Sequence, residues 1–588
     1  MSAGALAVTC QSAAFQHPGR TANRQPPGTP PAGSHVAGPM FSTISATVLA
    51  APGARRDGRI PGGPECNPED SVPRLQYVAN EQLRHPAGSG SRPWESAGGN
   101  RTGRSAMRGS IRHVAVAVAA SAALGTLGIS GLTTAAAATA GRQSAPSAAA
   151  ARALAASGAR LWVRRSAVGA DKLAVGPAGH RVYVTGTSSG ASGGDYWTAA
   201  YSAATGTRLW AARYDGTGNG VDQPGSVAVS PGGGRVYVTG SSFGTTTGFD
   251  YATVAYSAAT GARLWVARFD AAGGGDGARA VAVSPDSGTV YVTGTSVTGD
   301  AGPCSGYAYD TVAYNAATGT QLWAACWADG GGFDAAAALA VSPDGARVYV
   351  TGEAGNGISC DRCANYGTVA YDAATGARLW TRQYDGGGFD DAAAVAVSPD
   401  GSRLYVTGTS YGGPVGDADA DYATIAYNAV SGARLWARRY NGPGNSRDVA
   451  QAMAVSPAGT VLVTGYSLGV TSRADYATIA YKPAGTWLWV RRYNGPVNGG
   501  DYARAVAAPG NGKVYVTGNS AGGPVNHHDF ATVAYNILTG TPAWVRRYNG
   551  PASGVDAATA IAARGGRVFV TGRSDGITSD SATIAYRG

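Results

Sequence analysis

From about Leu161 to Gly588 the apolar residues fall into short runs, each about five residues long, bounded by Gly, Pro, Asp or Asn. Four kinds of run recur in a fixed order. Run a is Ala/Val-rich, as AVAVSP at 280–285, ALAVSP at 338–343 and AVAVSP at 394–399. Run b is VYVTG, at 236–240, 348–352 and 514–518; run c is ATVAY or a variant, at 252–256, 423–427 and 531–535. Run d is RLWxRRY, as at 434–440. Short β-branched and aromatic runs between turn residues predict strands rather than helices.

The connections alternate. Runs a and b are joined by tight turns such as Ser-Pro-Asp-Gly at 342–345 and 398–401, and runs c and d by Ala-Ala-Thr-Gly at 373–376. Both suit antiparallel hairpins. The b–c and d–a connections are longer and rich in Gly, Asn and Asp. An antiparallel unit built this way puts its tight turns at one end and its variable loops at the other. Binding sites favour such loops on a rigid scaffold.

A Gly-x-x-Leu-Trp stretch leading into run d ends in a Trp at Trp162, Trp210, Trp265, Trp323, Trp380, Trp436, Trp489 and Trp544 (the last with Ala in place of Leu), with gaps of 48, 55, 58, 57, 56, 53 and 55 residues. A period of this size marks an array of one supersecondary unit. Four-stranded antiparallel units in this number predict an all-β, eight-bladed β-propeller. The array opens on a d strand at Leu161–Arg165 and closes on a c strand at Ala582–Tyr586. Pairing the two completes the last blade and closes the ring. The Ala-rich a strand fits the crowded innermost position, and the eight Trp residues are expected to wedge between blades.

The chain before the array is of another kind. Residues 1–106 are rich in Pro, Gly, Arg and Ser with no sustained period, which predicts a disordered or untranslated extension. At Met107 a basic MRGSIRH leads into an apolar stretch at 114–132 and an Ala-Thr-Ala at 138–140, the layout of a secretory signal. Residues 107–140 are read as that signal, with no stable membrane insertion after cleavage. Residues 141–159 are an Ala/Ser linker and 160–588 the propeller. A secreted or cell-surface location follows.

Charge adds little. The chain carries +10, but from Gly141 onward 34 Lys plus Arg stand against 30 Asp plus Glu, a difference of +4. The Arg pairs Arg438/Arg439, Arg491/Arg492 and Arg546/Arg547 fall on the outermost strand, where charge guards a sheet edge. No nucleic-acid partner is expected. Cys304, Cys326, Cys360 and Cys363 are candidates for disulfides in an exported chain. Cys304 can pair with Cys326 and Cys360 with Cys363. A zinc site built from all four is the weaker alternative, because the first pair lies on a different blade from the second.

The repeat, exemplified by RLWVARFDAAGGGDGARAVAVSPDSGTVYVTG at 263–294 and by residues 370–408, resembles the SBBP-type β-propeller repeat of secreted bacterial proteins. That resemblance implies an extracellular propeller and no single activity. AYDAATGARLW at 370–380 is similar, more loosely, to the tryptophan-docking run of quinoprotein dehydrogenases that bind pyrroloquinoline quinone. The chain departs from those enzymes in having no adjacent Cys pair and a single Glu in the propeller, Glu353.

Several polar sets carry candidate chemistry. An Asp stands nine residues before the Pro of run a at Asp222, Asp276, Asp334, Asp390 and Asp448, and eight before it at Asp501; Asp171 and Asp556 match more loosely. Such a ring can hold cations or a polar ligand, or each Asp can cap loop amides. Because the Asp recurs in nearly every unit, capping is the favoured reading. Asp417, Asp419 and Asp421 alternate in one b–c loop and are a candidate Ca²⁺ site. His527 and His528 beside Asp529 form the propeller's only His cluster. An aromatic follows the Trp by four residues at Tyr214, Phe269, Trp327, Tyr384, Tyr440, Tyr493 and Tyr548, suited to sugar stacking or to packing between blades. No nucleophile elbow, phosphate loop or zinc-protease motif occurs. The expected function is a monomeric binding or scaffold module for a glycan, cell-wall polymer or protein. The alternative is a quinone-dependent oxidoreductase, and no catalytic residue or required cofactor is assigned.

Overall fold

The structure, a computed structural model, describes residues 157–588 except 191–192, 272–273, 299–303, 331, 356–363, 413–419, 524–526, 553 and 576–578. The extension, the signal, nearly all of the linker, Cys360, Cys363, Asp417 and Asp419 lie outside the described residues.

Eight four-stranded antiparallel sheets make up the propeller. Their blades, numbered along the chain, span 172–214, 222–269, 277–327, 335–384, 390–440, 448–493, 501–548 and 556–587, the last completed by 160–166. Blade 5 is representative, with strands a Asp390–Val397, b Arg403–Tyr411, c Ala420–Asn428 and d Arg434–Tyr440. In blade 8 the outer strand is Arg160–Ser166, which pairs antiparallel with Ser579–Arg587 so that Arg160 faces Tyr586 and Ser166 faces Ser581. The spare d strand at the start of the array thus completes the blade that ends without one. Each a strand touches the a strands of both neighbours, and blade 1 touches blade 8 in the same way, so strand a is innermost. In blades 2 to 8 strand a carries a β-bulge near its start, as between Ala392 and Ala394. A bulge bends and twists the strand, here where the blades crowd the axis. Among the described residues no helix is long and apolar enough to cross a membrane.

The cores lie between blades rather than inside them, because a single four-stranded sheet has two faces to bury. One cluster joins Tyr349, Ala370 and Trp380 of blade 4 to Val395, Val406, Ile425 and Tyr427 of blade 5. The d-strand Trp is the hinge pin of each such core. Its indole rests on the Gly of the c–d turn in the next blade, as Trp323 on Gly376 and Trp380 on Gly432. That Gly has φ near +70° (Gly376 +74°, Gly432 +69°), and a Cβ there would lie 2.7 Å from the indole. Glycine is therefore required twice over, by the backbone and by the ring. The indole N–H donates to a carbonyl of the same turn, from Trp210 to Ala258 at 3.1 Å and from Trp323 to Ala373 at 3.0 Å. The Tyr of run b donates to that same carbonyl, as Tyr183 to Ala258 at 3.2 Å. All eight Trp rings rest on a turn Gly, the last being Trp544 on Gly158, and seven of them, all but Trp544, make the N–H bond among the described residues. The G-x-x-x-W spacing is thus a socket and a plug in one motif.

Candidate functional site

The opposite ends of the strands carry the b–c and d–a loops. There the recurring Asp opens strand a and is buried, with no more than 1% exposure for Asp222, Asp276, Asp334, Asp390, Asp448 and Asp501. Each carboxylate accepts a loop amide from a residue four to six positions earlier. The donors are Gly216, Ala271, Asp329, Gly386, Gly442 and Gly495, at 2.5–3.2 Å. Asp222, Asp276 and Asp334 take a second amide from the end of strand b, from Phe243, Val297 and Gly355. Asp556 accepts from Gly550 in the same way at 2.6 Å. Asp171 occupies a different register, bonded through its amide to the Thr185 carbonyl.

A second feature joins strands b, c and d at the loop end. In blade 6, Arg492 at the end of strand d bonds Asp475 at the start of strand c at 2.7 Å, and also the Ser467 hydroxyl and carbonyl on strand b. The same Arg–Asp pairing occurs as Arg213–Asp195, Arg268–Asp250, Arg439–Asp421, Arg547–Asp529 and Arg165–Asp580, giving six of eight blades. The Asp of strand a stands beside the same Ser. One oxygen of Asp390, Asp448 and Asp501 lies next to Ser410, Ser467 and Ser520 without a well-aligned hydrogen bond to it. The guanidinium also reaches back to the preceding blade, from Arg268 to the Tyr214 hydroxyl at 3.2 Å and from Arg547 to Tyr493 at 3.3 Å. Charge-assisted bonds of this fork geometry are the strong ones.

The arginine pairs therefore do more than guard an edge. The second Arg of each pair forms the loop-end lock. The first turns toward the next blade, Arg438 and Arg491 donating to the Gly485 and Gly540 carbonyls at 2.9 and 3.0 Å. Neither role shows in the local sequence, because the partners are distant along the chain, Asp475 by 17 residues and Gly540 by 49.

Blades 3 and 4 break the pattern. Where other blades have the lock Arg, blade 3 has Cys326 and blade 4 has Gln383. Where they have its Asp, these blades have Ala308 and Asn365. Cys326 is instead tied to Cys304 by a disulfide across the b–c loop. Trp327 takes the place of the usual Tyr and packs edge-on against Tyr309 with centroids 4.8 Å apart. Gly367 makes room for it, since a Cβ there would lie 2.8 Å from the Trp327 ring and 2.7 Å from the Tyr309 hydroxyl. Without a guanidinium the local carboxylates lose their counter-charge. Burial, followed by the Asp329 charge, pushes Asp334 up to about 7. Burial, then Asp391 and Asp334, pushes Glu353 up to about 8. Burial raises Asp390 and Asp448 in locked blades to about 6, opposed first by neighbouring hydrogen bonds and least by Arg439 and Arg492, and raises Asp310 of blade 3 to about 6 as well.

The remaining candidates are more scattered. Asp222 lies within 4.8 Å of carboxylate oxygens of Asp195 and Asp215, a grouping already engaged by Arg213 and by loop amides. Asp421 serves the blade 5 lock. His528 packs near Tyr502, with centroids 6.4 Å apart, and is shifted down chiefly by burial. The aromatics that follow each Trp pack on the c strand of their own blade, as Tyr214 on Tyr196 and Tyr440 on Tyr422. Two other aromatic pairs stand exposed on the loop face, Phe243 with Phe249 in blade 2 and Tyr307 with Phe333 at the junction of blades 3 and 4, each ring about 40% exposed. The repeat pattern hid them because they fall outside the four runs.

Comparison with known proteins gives a PQQ-type propeller resemblance. Residues 308–507, from strand c of blade 3 to strand a of blade 7, match the family profile described as outer membrane protein assembly factor BamB. No curated protein is significantly similar in sequence. Among solved structures, BamB from Moraxella catarrhalis is 14% identical over 73% of this chain and 99% of that one, with a TM-score of 0.41. Quinohemoprotein alcohol dehydrogenase from Comamonas testosteroni is 15% identical over 74% and 77%, with a TM-score of 0.46. Sqt1 from Chaetomium thermophilum, solved with the N-terminus of ribosomal protein L10, is 12% identical over 72% and 97%, with a TM-score of 0.47. At these identities the likeness is one of fold.

Proposed function

We propose that the chain is an exported binding or scaffold propeller that engages a protein partner through its loop face. The observation that carries this reading is the pair of exposed aromatic contacts, Phe243–Phe249 and Tyr307–Phe333. Exposed aromatics on a rigid loop face suit a protein hot spot. They stand on and beside the sector where the lock is missing, and the acidic d–a loop residues Asp215, Asp270 and Asp385 are exposed on the same half of the ring. An envelope location is supported by the signal-like stretch at 107–140 and by the partial match to a family named for outer-membrane assembly. The SBBP-type likeness of the repeats is part of the same reading.

The test uses the immobilised full chain and a Phe249→Ala/Phe333→Ala variant whose melting midpoint matches wild type. Cross-linking in envelope extract should capture a discrete protein on wild type and lose it on the variant. Equal capture by both, or none by either, counts against the proposal.

A second reading, a quinone-dependent oxidoreductase, takes support from the carboxylates of Asp334 and Glu353, held near neutrality as acid–base groups are. The fit to the cofactor is poor. The bulge residues of the innermost strands, Gly225, Arg279, Ala337, Ala393, Gln451, Arg504 and Thr559, include no aromatic ring on which a planar quinone could stack. Dye-linked alcohol oxidation after incubation with quinone and Ca²⁺ would favour this second reading over the first.

A further inference from the structure

At five of the eight junctions between blades a guanidinium covers the Trp dock. Its donors are Arg164, Arg382, Arg438, Arg491 and Arg546, each two residues after the Trp of strand d. Nε donates to the carbonyl of the turn Gly in the next blade (Gly206, Gly432, Gly485, Gly540 and Gly158) at 2.8–3.0 Å. Nη1 donates to the carbonyl one residue back on its own strand, as from Arg438 to Ala437 at 2.8 Å. At four of the five, Nη2 reaches the carbonyl before the turn Gly, as from Arg382 to Ser431 at 3.0 Å. Arg382, Arg438 and Arg546 also stand 5.8–5.9 Å from the centroid of the Trp ring. Under these covers all five turn glycines are buried.

Blades 1, 2 and 3 have Ala212, Ala267 and Ala325 at that place, each opposite the Thr of run c as the Arg residues are. The receptor itself persists there, because every acceptor is a main-chain carbonyl and the indole is docked as elsewhere, Trp210 on Gly261, Trp265 on Gly319 and Trp323 on Gly376. Without the cover these three glycines are only half-buried. Between blades 3 and 4 the gap is a hollow of about 270 Å³ lined in part by Ala325 and Gly376. Arg378 also borders it, but Arg434 follows Gly432 at the same spacing where the slot is filled, so that neighbour does not exclude a second guanidinium. The first four blades run from strand d into Asp215, Asp270, Asp329 and Asp385, where blades 5, 6 and 7 have Asn441, Asn494 and Asn549. Each open slot thus has a carboxylate three or four residues along its strand, roughly 10–13 Å away and about one Debye length.

We propose that the three open slots, at consecutive junctions from blade 1 to blade 4, bind arginine side chains of a partner protein, each guanidinium taking the place that the chain's own Arg holds elsewhere in the ring. A guanidinium suits the slot because its donors form a planar fork that fits several carbonyls at once and its face stacks on an indole. An ammonium has neither the fork nor the plane. Three slots on neighbouring blades suit a segment with several Arg residues, whose single contacts then reinforce one another. The slots lie on the outer wall at the turn end and are separate from the loop-face aromatics.

The experiment measures binding of an oligo-arginine and an oligo-lysine peptide of equal length to the full chain at physiological ionic strength. One variant, Ala212→Arg/Ala267→Arg/Ala325→Arg, fills the slots with the residue of the other five blades. A second, Ala211→Arg/Val266→Arg/Ala324→Arg, adds the same charge one residue earlier, at exposed side chains on the other face of the same strands. Wild type should bind oligo-arginine saturably and at least about fivefold more tightly than oligo-lysine. The filled variant should melt at or above wild type and weaken that binding about tenfold or more. The second variant should change it by less than about threefold. No binding by wild type, equal affinity for the two peptides, a lowered midpoint in the filled variant, or an equal loss of binding in the two variants would each overturn the assignment.

Discussion

The two ends of every blade are held by different chemistry, and only one of them is uniform. At the turn end, a Trp of one blade docks on a Gly of the next in all eight blades. At the loop end, an Arg–Asp pair ties the strands together in six blades, joined by a strand b Ser in blades 2, 5, 6 and 7, and blades 3 and 4 use a disulfide and a Trp–Gly contact instead. The turn end closes the ring, so any departure there opens a gap between blades. The loop end closes each blade locally and can change in one sector without breaking the ring. Among the described residues this variation therefore falls at the loop end.

The largest effect tests the uniform end. Trp323→Ala in blade 3 and Trp436→Ala in blade 5 should each cost about 3–5 kcal/mol in denaturant unfolding, and the two should agree within about 1 kcal/mol despite their different loop ends. A much smaller cost in blade 3 would mean that the turn end is not uniform after all.

Next comes the lock itself. Arg547→Leu leaves Asp529, whose side chain is only 12% exposed, without its counter-charge. Removing one partner of such a pair should cost about 3 kcal/mol, whereas Gln383→Leu at the matching place in blade 4 should change stability by no more than about 0.5 kcal/mol. The melting midpoints of the two variants compare the sectors directly.

Most of the architecture was legible in the sequence because it rests on single residues at one spacing. The Trp period gave the blade number, and the unmatched d strand at Trp162 with the unmatched c strand at Tyr586 gave the closure. The lock was not legible in the same way. Arg439, Ser410 and Asp421 come from three strands, with Arg439 and Asp421 separated by 18 residues, and each alone looks like ordinary surface polarity. A usable signal did exist in the aligned repeats, where Cys326 and Gln383 replace Arg and Trp327 replaces Tyr. Phe243, Phe249 and Tyr307 sit at the loop ends of strands b and c, and Phe333 just before strand a, beyond the short runs that carry the repeat. Blade 1 has a shortened a strand, Lys172–Val175, which displaces its Asp171 from the register of the others.

A smaller effect concerns the substitute contact in blades 3 and 4. Gly367→Ala would press a methyl group on Trp327 and Tyr309, and should cost about 1–3 kcal/mol. Trp327→Tyr in the same chain should recover most of that loss, since other blades set Tyr against a residue that bears a Cβ, as Tyr440 and Tyr422 of blade 5 against Ala477 of blade 6. No recovery in the double variant would mean that Gly367 serves some other contact.

The last effect is on pH. Glu353 is raised from 4.5 to about 8 and Asp334 from 3.8 to about 7. Between those values the folded chain keeps protons that the unfolded chain has released. Stability should therefore be greatest in mild acid and fall as pH rises through about 7 and 8, by at most about 1.4 kcal/mol per pH unit for each group. Glu353→Gln should flatten the upper part of that slope in melts taken across the range. A slope unchanged by the substitution would place the titration elsewhere.

The most direct test of the comparison is a pair of double-mutant cycles in denaturant unfolding, one on Arg492 and Asp475 in blade 6, the other on Gln383 and Asn365 in blade 4, each residue changed to Leu or Ala. Residues bound in one ion-pair network couple by about 0.5–3 kcal/mol. We expect about 2 kcal/mol or more in blade 6 and close to zero in blade 4. Equal coupling in the two blades would contradict the account, because it would show that the loop end is held alike all round the ring.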